Sequence, residues 1–111
     1  MTKPEDLPYS IEGRELIAET SDLRVQILTL EAGEGVPWHC HSEITDTFIC
    51  LEGPMIVETK SASGGKELQS GDTFSVAPNE AHRVTGKDGG RCRFVNVQGI
   101  GAHDFIPTEG L

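Results

Sequence analysis

The stretch Gly33-Glu-Gly-Val-Pro-Trp-His39-Cys-His41-Ser-Glu43-Ile-Thr-Asp46-Thr-Phe-Ile-Cys-Leu-Glu-Gly53 decides how this chain folds. His39 and His41 stand two positions apart. Side chains alternate between the faces of a β-strand, so residues i and i+2 project together. Two imidazoles on one face are a pair of nitrogen ligands. Asp46 follows His41 at an odd offset of five. On one unbroken strand it would face the other way. A break within residues 42–45 would let a second strand return Asp46 to the histidines' side. Two nitrogens and a carboxylate oxygen around one point suit a first-row transition metal. Cys40, between the histidines, faces away from them.

Working outward, the 111 residues suffice for one domain with a modest core. Hydrophobic residues make up 36% and charged residues 24%, the balance of a globular chain and not of a disordered one. The 18 Asp and Glu outnumber the 9 Lys and Arg, for a net charge of −9. That argues against nucleic acid and anionic membranes as partners, because both reward a basic face. No apolar run reaches transmembrane length. The polar opening, Met1-Thr-Lys-Pro-Glu-Asp-Leu-Pro8, has no apolar signal core, so the cytoplasm is the expected compartment. Cys40, Cys50 and Cys92 form no CxxC pair and are expected to be reduced thiols. Cys50 and Cys92 read as small buried apolar side chains.

The apolar periodicity is close to two throughout, and Gly, Pro and Asn punctuate it at short intervals. Residues 1–14 read as an arm, followed by an edge strand within 15–20; together they form an N-terminal segment, 1–22. Strands are expected over 23–31, 36–41, 46–51, 55–60, 66–69, 73–77, 81–85 and 91–98. Residues 61–65 read as a hairpin loop, 87–90 as a hairpin turn, and 99–111 as an irregular tail. In the first of these strands Leu23, Val25 and Ile27 share one face, and Leu28 and Leu30 the other. The one run that could be helical, 4–18, is interrupted by Pro8 and Gly13. Many short strands with no convincing helix indicate an all-β sandwich or barrel.

A second segment, from Gly71 to His82, accompanies the first. The two resemble the paired motifs of the cupin superfamily, in its small single-domain form. The first motif runs glycine, five residues, His-x-His, three or four residues, a carboxylate, six residues, glycine. Gly33, His39, His41, Asp46 and Gly53 match that spacing, with Asp in place of the usual Glu. The second runs glycine, five residues, Pro-x-Gly, two residues, His, three residues, Asn. Gly71 and His82 match it; Ala77, Asn79 and Gly86 replace the proline, glycine and asparagine. Asn79 tolerates the positive φ that the glycine would supply. The resemblance implies a double-stranded β-helix barrel over residues 23–98. It implies one divalent transition metal ion (Fe, Mn, Ni, Zn, Co or Cu) bound by His39, His41, Asp46 and His82. Homodimers are common in this form, which the resemblance extends to this chain. Aspartate is one methylene shorter than glutamate, so Glu43 is a second candidate carboxylate.

Other residues fill in the expected site. Phe48 shares a face with Asp46 and would form an apolar wall. Phe94, Asn96 and Gln98 would line the cavity from the last strand, one aromatic and two amides that could orient a ligand. Trp38 should face outward, and His103 should be exposed in the tail. The resulting expectation is a metalloenzyme acting on a small organic molecule, of dioxygenase, isomerase or lyase type. The alternative is a non-catalytic small-molecule-binding or structural module, since a fold does not by itself specify an activity.

Overall fold

The computed structural model describes residues 11, 13–60 and 65–108. Residues 1–10, 12 and 61–64, where the arm and the hairpin loop are expected, lie outside the described residues. Ten strands follow in order: β1 (Gly13–Glu19), β2 (Leu23–Leu30), β3 (Gly35–Cys40), β4 (Thr45–Glu52), β5 (Met55–Thr59), β6 (Gly65–Leu68), β7 (Thr73–Val76), β8 (His82–Gly86), β9 (Cys92–Gly99) and β10 (Ile106–Pro107). They form two five-stranded antiparallel sheets, ordered β1-β2-β9-β4-β7 and β10-β3-β8-β5-β6. This is the all-β, double-stranded β-helix barrel that the sequence predicts. The only helical turn among the described residues is a 3₁₀ turn at Lys87–Gly89. No helix of the described residues is long and apolar enough to cross a membrane.

Alternation produces the core. Along β5, β8 and most of β4 and β9, buried side chains alternate with less buried ones. The buried set includes Leu28, Leu30, Phe48, Val57, Leu68, Val84 and Phe94. Cys50 and Cys92 belong to it, as expected. Burial pushes the Cys50 thiol up and the Cys92 thiol up to about 11, so both are protonated core atoms. The inner face is not apolar throughout, as β2 shows. Leu30 and Leu28 are buried, but so is Gln26. The inner face changes character along the strand, from apolar to polar. β9 does the same, from Cys92 and Phe94 to Asn96, and β4 from Cys50 and Phe48 to Asp46. The opposite sheet repeats the change, with Val84 followed inward-facing by His82 on β8 and Val57 by Thr59 on β5. The barrel thus has an apolar floor and a polar upper end.

A bulge brings β3 into line with this division. Val36 pairs with Val84, and His39 pairs with His82, so Pro37 and Trp38 on β3 oppose the single residue Arg83 on β8. Strict alternation from Val36 would send His39 outward. The extra residue at Pro37 and Trp38 reverses the parity, and both Val36 and His39 face inward. Proline has no N–H to lose from the ladder, which suits it to such a position. Trp38 turns outward, with the Lys60 ammonium 4.6 Å from its ring centroid.

The tail is not irregular over its whole length. Ile106 and Pro107 pair with Cys40 and His39, adding β10 to the edge of the second sheet. Gly101 has φ +148 and lies where a Cβ would stand 2.9 Å from that of Glu43, so the tail turns there only as glycine.

The floor carries the packing, so it dominates stability. Phe94 is fully buried and meets Phe48 edge-on at 5.6 Å between centroids. Phe94→Ala is expected to lower the unfolding free energy by about 3–5 kcal/mol. Ile100→Ala, at a side chain 75% exposed, should change it by less than about 0.5 kcal/mol. Urea unfolding of both variants checks the contrast.

Candidate metal centre

Four side chains converge at the polar end of the barrel: His39 from β3, His41 just past it, Asp46 from β4 and His82 from β8. One donor atom from each lies within 4.8 Å of all the others. All four are buried, none more than 4% exposed. The strand break expected between His41 and Asp46 is present, since β3 ends at Cys40 and β4 begins at Thr45. Ile44, 1% exposed, anchors the connection in the interior.

The rings are held in one tautomer. His39 Nδ1 donates to the Pro37 carbonyl at 2.7 Å, His41 Nδ1 to the Asp104 carbonyl at 2.6 Å, and His82 Nδ1 to the Glu80 carbonyl at 3.0 Å. A carbonyl oxygen only accepts, so the proton sits on Nδ1 in all three rings. The Nε2 atoms are left facing Asp46. Oδ2 of that carboxylate is 2.8 Å from His82 Nε2, 3.1 Å from His41 Nε2 and 3.9 Å from His39 Nε2. Three imidazole lone pairs and a carboxylate are all electron-pair donors. In the metal-free protein a proton shared between Nε2 and Oδ2 satisfies part of this set, as at His41; a cation at its centre would take that proton's place, and the donor chemistry fits a first-row divalent ion.

Asp46 is fixed from behind. Asn96 donates from Nδ2 to Asp46 Oδ1 at 2.6 Å and to the Thr47 carbonyl at 3.3 Å. Gln26 donates to Asn96 Oδ1 at 3.0 Å, and Arg14 to Gln26 Oε1 at 3.2 Å. This relay runs across four neighbouring strands, β1, β2, β9 and β4, and directs Oδ2, not Oδ1, at the imidazoles. Support of this kind behind a ligand carboxylate sets its orientation and basicity.

Comparisons with known proteins bear on the fold that carries this cluster. A family model described as the cupin domain matches residues 26–98. The chain belongs to the cupin family. Among curated proteins none matches it in sequence. Solved structures are similar at the level of fold. One is an uncharacterized conserved protein with a double-stranded β-helix domain from Klebsiella pneumoniae, 23% identical, with 86% of this chain and 83% of that one covered and a TM-score of 0.73. KdgF from a Halomonas species is 18% identical, with 79% of each chain covered and a TM-score of 0.68. The cupin domain of Schizosaccharomyces pombe Cnp3 is 11% identical, with 79% of this chain and 64% of that one covered and a TM-score of 0.69.

Several expectations about this cupin's site need correcting. Glu43 is not near the cluster: it is exposed, and its Oε1 accepts from the Ala102 N–H at 3.2 Å. His103 is buried, 9% exposed, and neither ring nitrogen has a hydrogen-bond partner. Asn96 and Gln98 line the cavity with Phe48, but Phe94 lies beneath it in the floor. Asn79, where the family motif has glycine, does adopt φ +69.

Sequence reasoning missed the tail and the polar residues of the first two strands. Asp104 holds His41, and its carboxylate accepts from the Ser42 N–H at 3.0 Å and from the Ser42 hydroxyl. Phe105 stacks on His39 with centroids 4.3 Å apart and planes at 13°. No local pattern announces these contacts, which join residues some 60 positions apart. Gln26 and Arg24 did carry a signal. They share the face of Leu28 and Leu30, where a polar side chain is out of place unless the interior uses it.

Electrostatics follow from burial and proximity. Desolvation would raise Asp46, but the three imidazoles outweigh it and hold the carboxyl well below its ordinary value. Burial lowers His39. At His41 burial also acts downward, yet Asp46 overcomes it and the net shift is upward. In the metal-free protein the signs therefore differ. Asp46 contributes stability above the ordinary carboxylate range and loses it on acidification. His41 contributes below the ordinary histidine value and loses it as the pH rises through its raised value. His39, kept neutral, disfavours the fold as the pH drops below the ordinary value. A metal must displace the His41 proton. Its affinity is expected to fall steadily as the pH is lowered from about 7.5 to 5.5, across the histidine range. Calorimetry in buffers of different ionisation enthalpy should register proton release; a pH-independent affinity contradicts the assignment.

Proposed function

We propose that this cupin binds one divalent transition metal ion through His39, His41, Asp46 and His82 and acts as a metalloenzyme on a small organic molecule. The carrying observation is the convergence of three Nδ1-tethered imidazoles on one buried carboxylate beside a cavity. When bound, the ion would supply Lewis acidity or activate oxygen, which suits dioxygenase, isomerase or lyase chemistry. The chain's own residues do the rest. Asn96 orients the Asp46 carboxylate, the Pro37, Asp104 and Glu80 carbonyls hold the rings, and Phe48 and Phe105 keep bulk water off the imidazoles.

One observation favours a second reading. The cavity is small, about 30 Å³, which leaves little room for a substrate and suits a non-catalytic binding module. Turnover separates the two. The three unbridged cysteines support a reducing compartment, the cytoplasm. Leu16 and Ile17, 56% and 52% exposed on the outermost strand, support a homodimer.

Elemental analysis of purified protein should find about one ion per chain, and the His39→Ala/His41→Ala double variant should retain none. Stoichiometric metal in that variant would refute the assignment. In light scattering the protein is expected at twice the 12.0 kDa of one chain; a mass of one chain at micromolar concentration refutes the dimer.

A further inference from the structure

Asp104 and Phe105 line the cavity from the segment between β9 and β10. Apart from His41, every other lining residue stands on a paired strand. Walls carried by strands are fixed by their ladders; a wall carried by a connecting segment is the one that moves at low cost. A cavity of about 30 Å³ holds a water molecule or two. A small organic molecule beside a metal ion needs more room, so a wall has to give way to admit it.

The segment is fastened at its two ends. Gly101 N–H donates to the Asp22 carbonyl at 3.0 Å. At the far end Ile106 and Pro107 pair with β3, and Thr108 N–H donates to the Trp38 carbonyl at 3.0 Å. Proline brings no N–H to that two-residue ladder. Between these points side chains do the holding. Glu43 accepts from Ala102 N–H, Ser42 and the His41 ring donate to Asp104, and Phe105 stacks on His39. Ile100 and Ile106 are exposed and add little apolar burial. His103 works against closure. It is buried with neither ring nitrogen partnered, and a desolvated imidazole without a hydrogen bond regains water when the segment lifts. Thr108 Oγ1 is a second buried, unpartnered atom.

We propose that residues 100–108 are a strap over the His39–His41–Asp46–His82 cluster, which lifts at Phe105 to admit metal and ligand and closes on the occupied site. Closure follows occupancy because the Asp104 carbonyl accepts from His41 Nδ1. A cation on the opposite nitrogen makes that N–H a stronger donor and tightens the tether. What the strap admits rests on the metal-centre reading; its motion does not.

Zinc is the probe. The strap is read by hydrogen exchange at the Thr108 amide and by the rate of zinc transfer to and from a chelator. The Thr108 amide should exchange faster than the ladder amides of β9, and bound zinc should slow it by about tenfold. Ile106→Cys sets a thiol opposite Cys40 in the ladder, where the spacing of paired strands suits a disulfide. Oxidised, this variant should load and release zinc about tenfold more slowly than when reduced, with the same zinc content at equilibrium. Phe105→Ala should speed both steps. His103→Leu separates the strap from a merely structural contact. An apolar side chain there should favour closure and slow zinc transfer, whereas a structural histidine predicts faster transfer and a less stable protein. The proposal is overturned if the Thr108 amide is protected like β9, if bound zinc leaves it unchanged, if oxidised and reduced Ile106→Cys transfer zinc alike, or if His103→Leu speeds transfer. Protein that takes up no zinc, but whose Thr108 amide is slowed by the disulfide, refutes the metal reading and keeps the strap. Stoichiometric zinc with the same transfer rates in every variant does the reverse.

Discussion

A carboxylate 2% exposed to solvent has to be neutralised where it stands, and much of this barrel is arranged around that requirement at Asp46. Burying an unpaired charge costs more than most single interactions recover. Here three imidazoles face the carboxylate, and an amide holds its other oxygen. Each ring is in turn anchored by a backbone carbonyl, so none can swing away to solvent without leaving that carbonyl unpaired. The same anchoring leaves three Nε2 atoms and Oδ2 directed at one point. A donor set that is fixed in advance loses little freedom when a cation enters, which favours tight and geometrically selective binding.

The placement of that set depends on a division of labour within the barrel. The apolar floor, built from Leu28, Leu30, Val57, Leu68 and Phe94, supplies the hydrophobic burial that fixes strand register. Register then delivers the next inward-facing residue of each strand to the polar end. Asp46 on β4, Asn96 on β9, Gln26 on β2 and His82 on β8 each stand two residues from an apolar neighbour on the same face. The polar end can therefore be chemically demanding without having to hold the sheets together.

The C-terminal segment completes the arrangement from outside the motifs. Asp104 fixes the His41 ring, Phe105 covers the His39 ring, and β10 seals the adjacent edge of β3. Two rings of the cluster thus owe their orientation to a tail that carries no periodic signal. Changes in this segment would be felt at the His39–His41–Asp46–His82 cluster even though it lies well beyond the last long strand.

Local rules in the sequence were enough for the all-β class, the strand count within the central region, and the His39–His41 pair; the cupin resemblance added Asp46 and His82, and the four do cluster. His39 and His41 share a face because of a two-residue period, and Gly71 to His82 repeats the spacing of a motif. Those are short-range properties, readable one strand at a time. Other features depended on which strands become neighbours. The bulge at Pro37 and Trp38 is visible only against β8, and the relay from Arg14 to Asp46 only once β1, β2, β9 and β4 lie side by side. The burial of His103 and the diversion of Glu43 to Ala102 depend on how the tail packs. Alternation tells which face a side chain takes within its own strand; it carries no information about what another strand sets opposite that face, and only the folded barrel decides this.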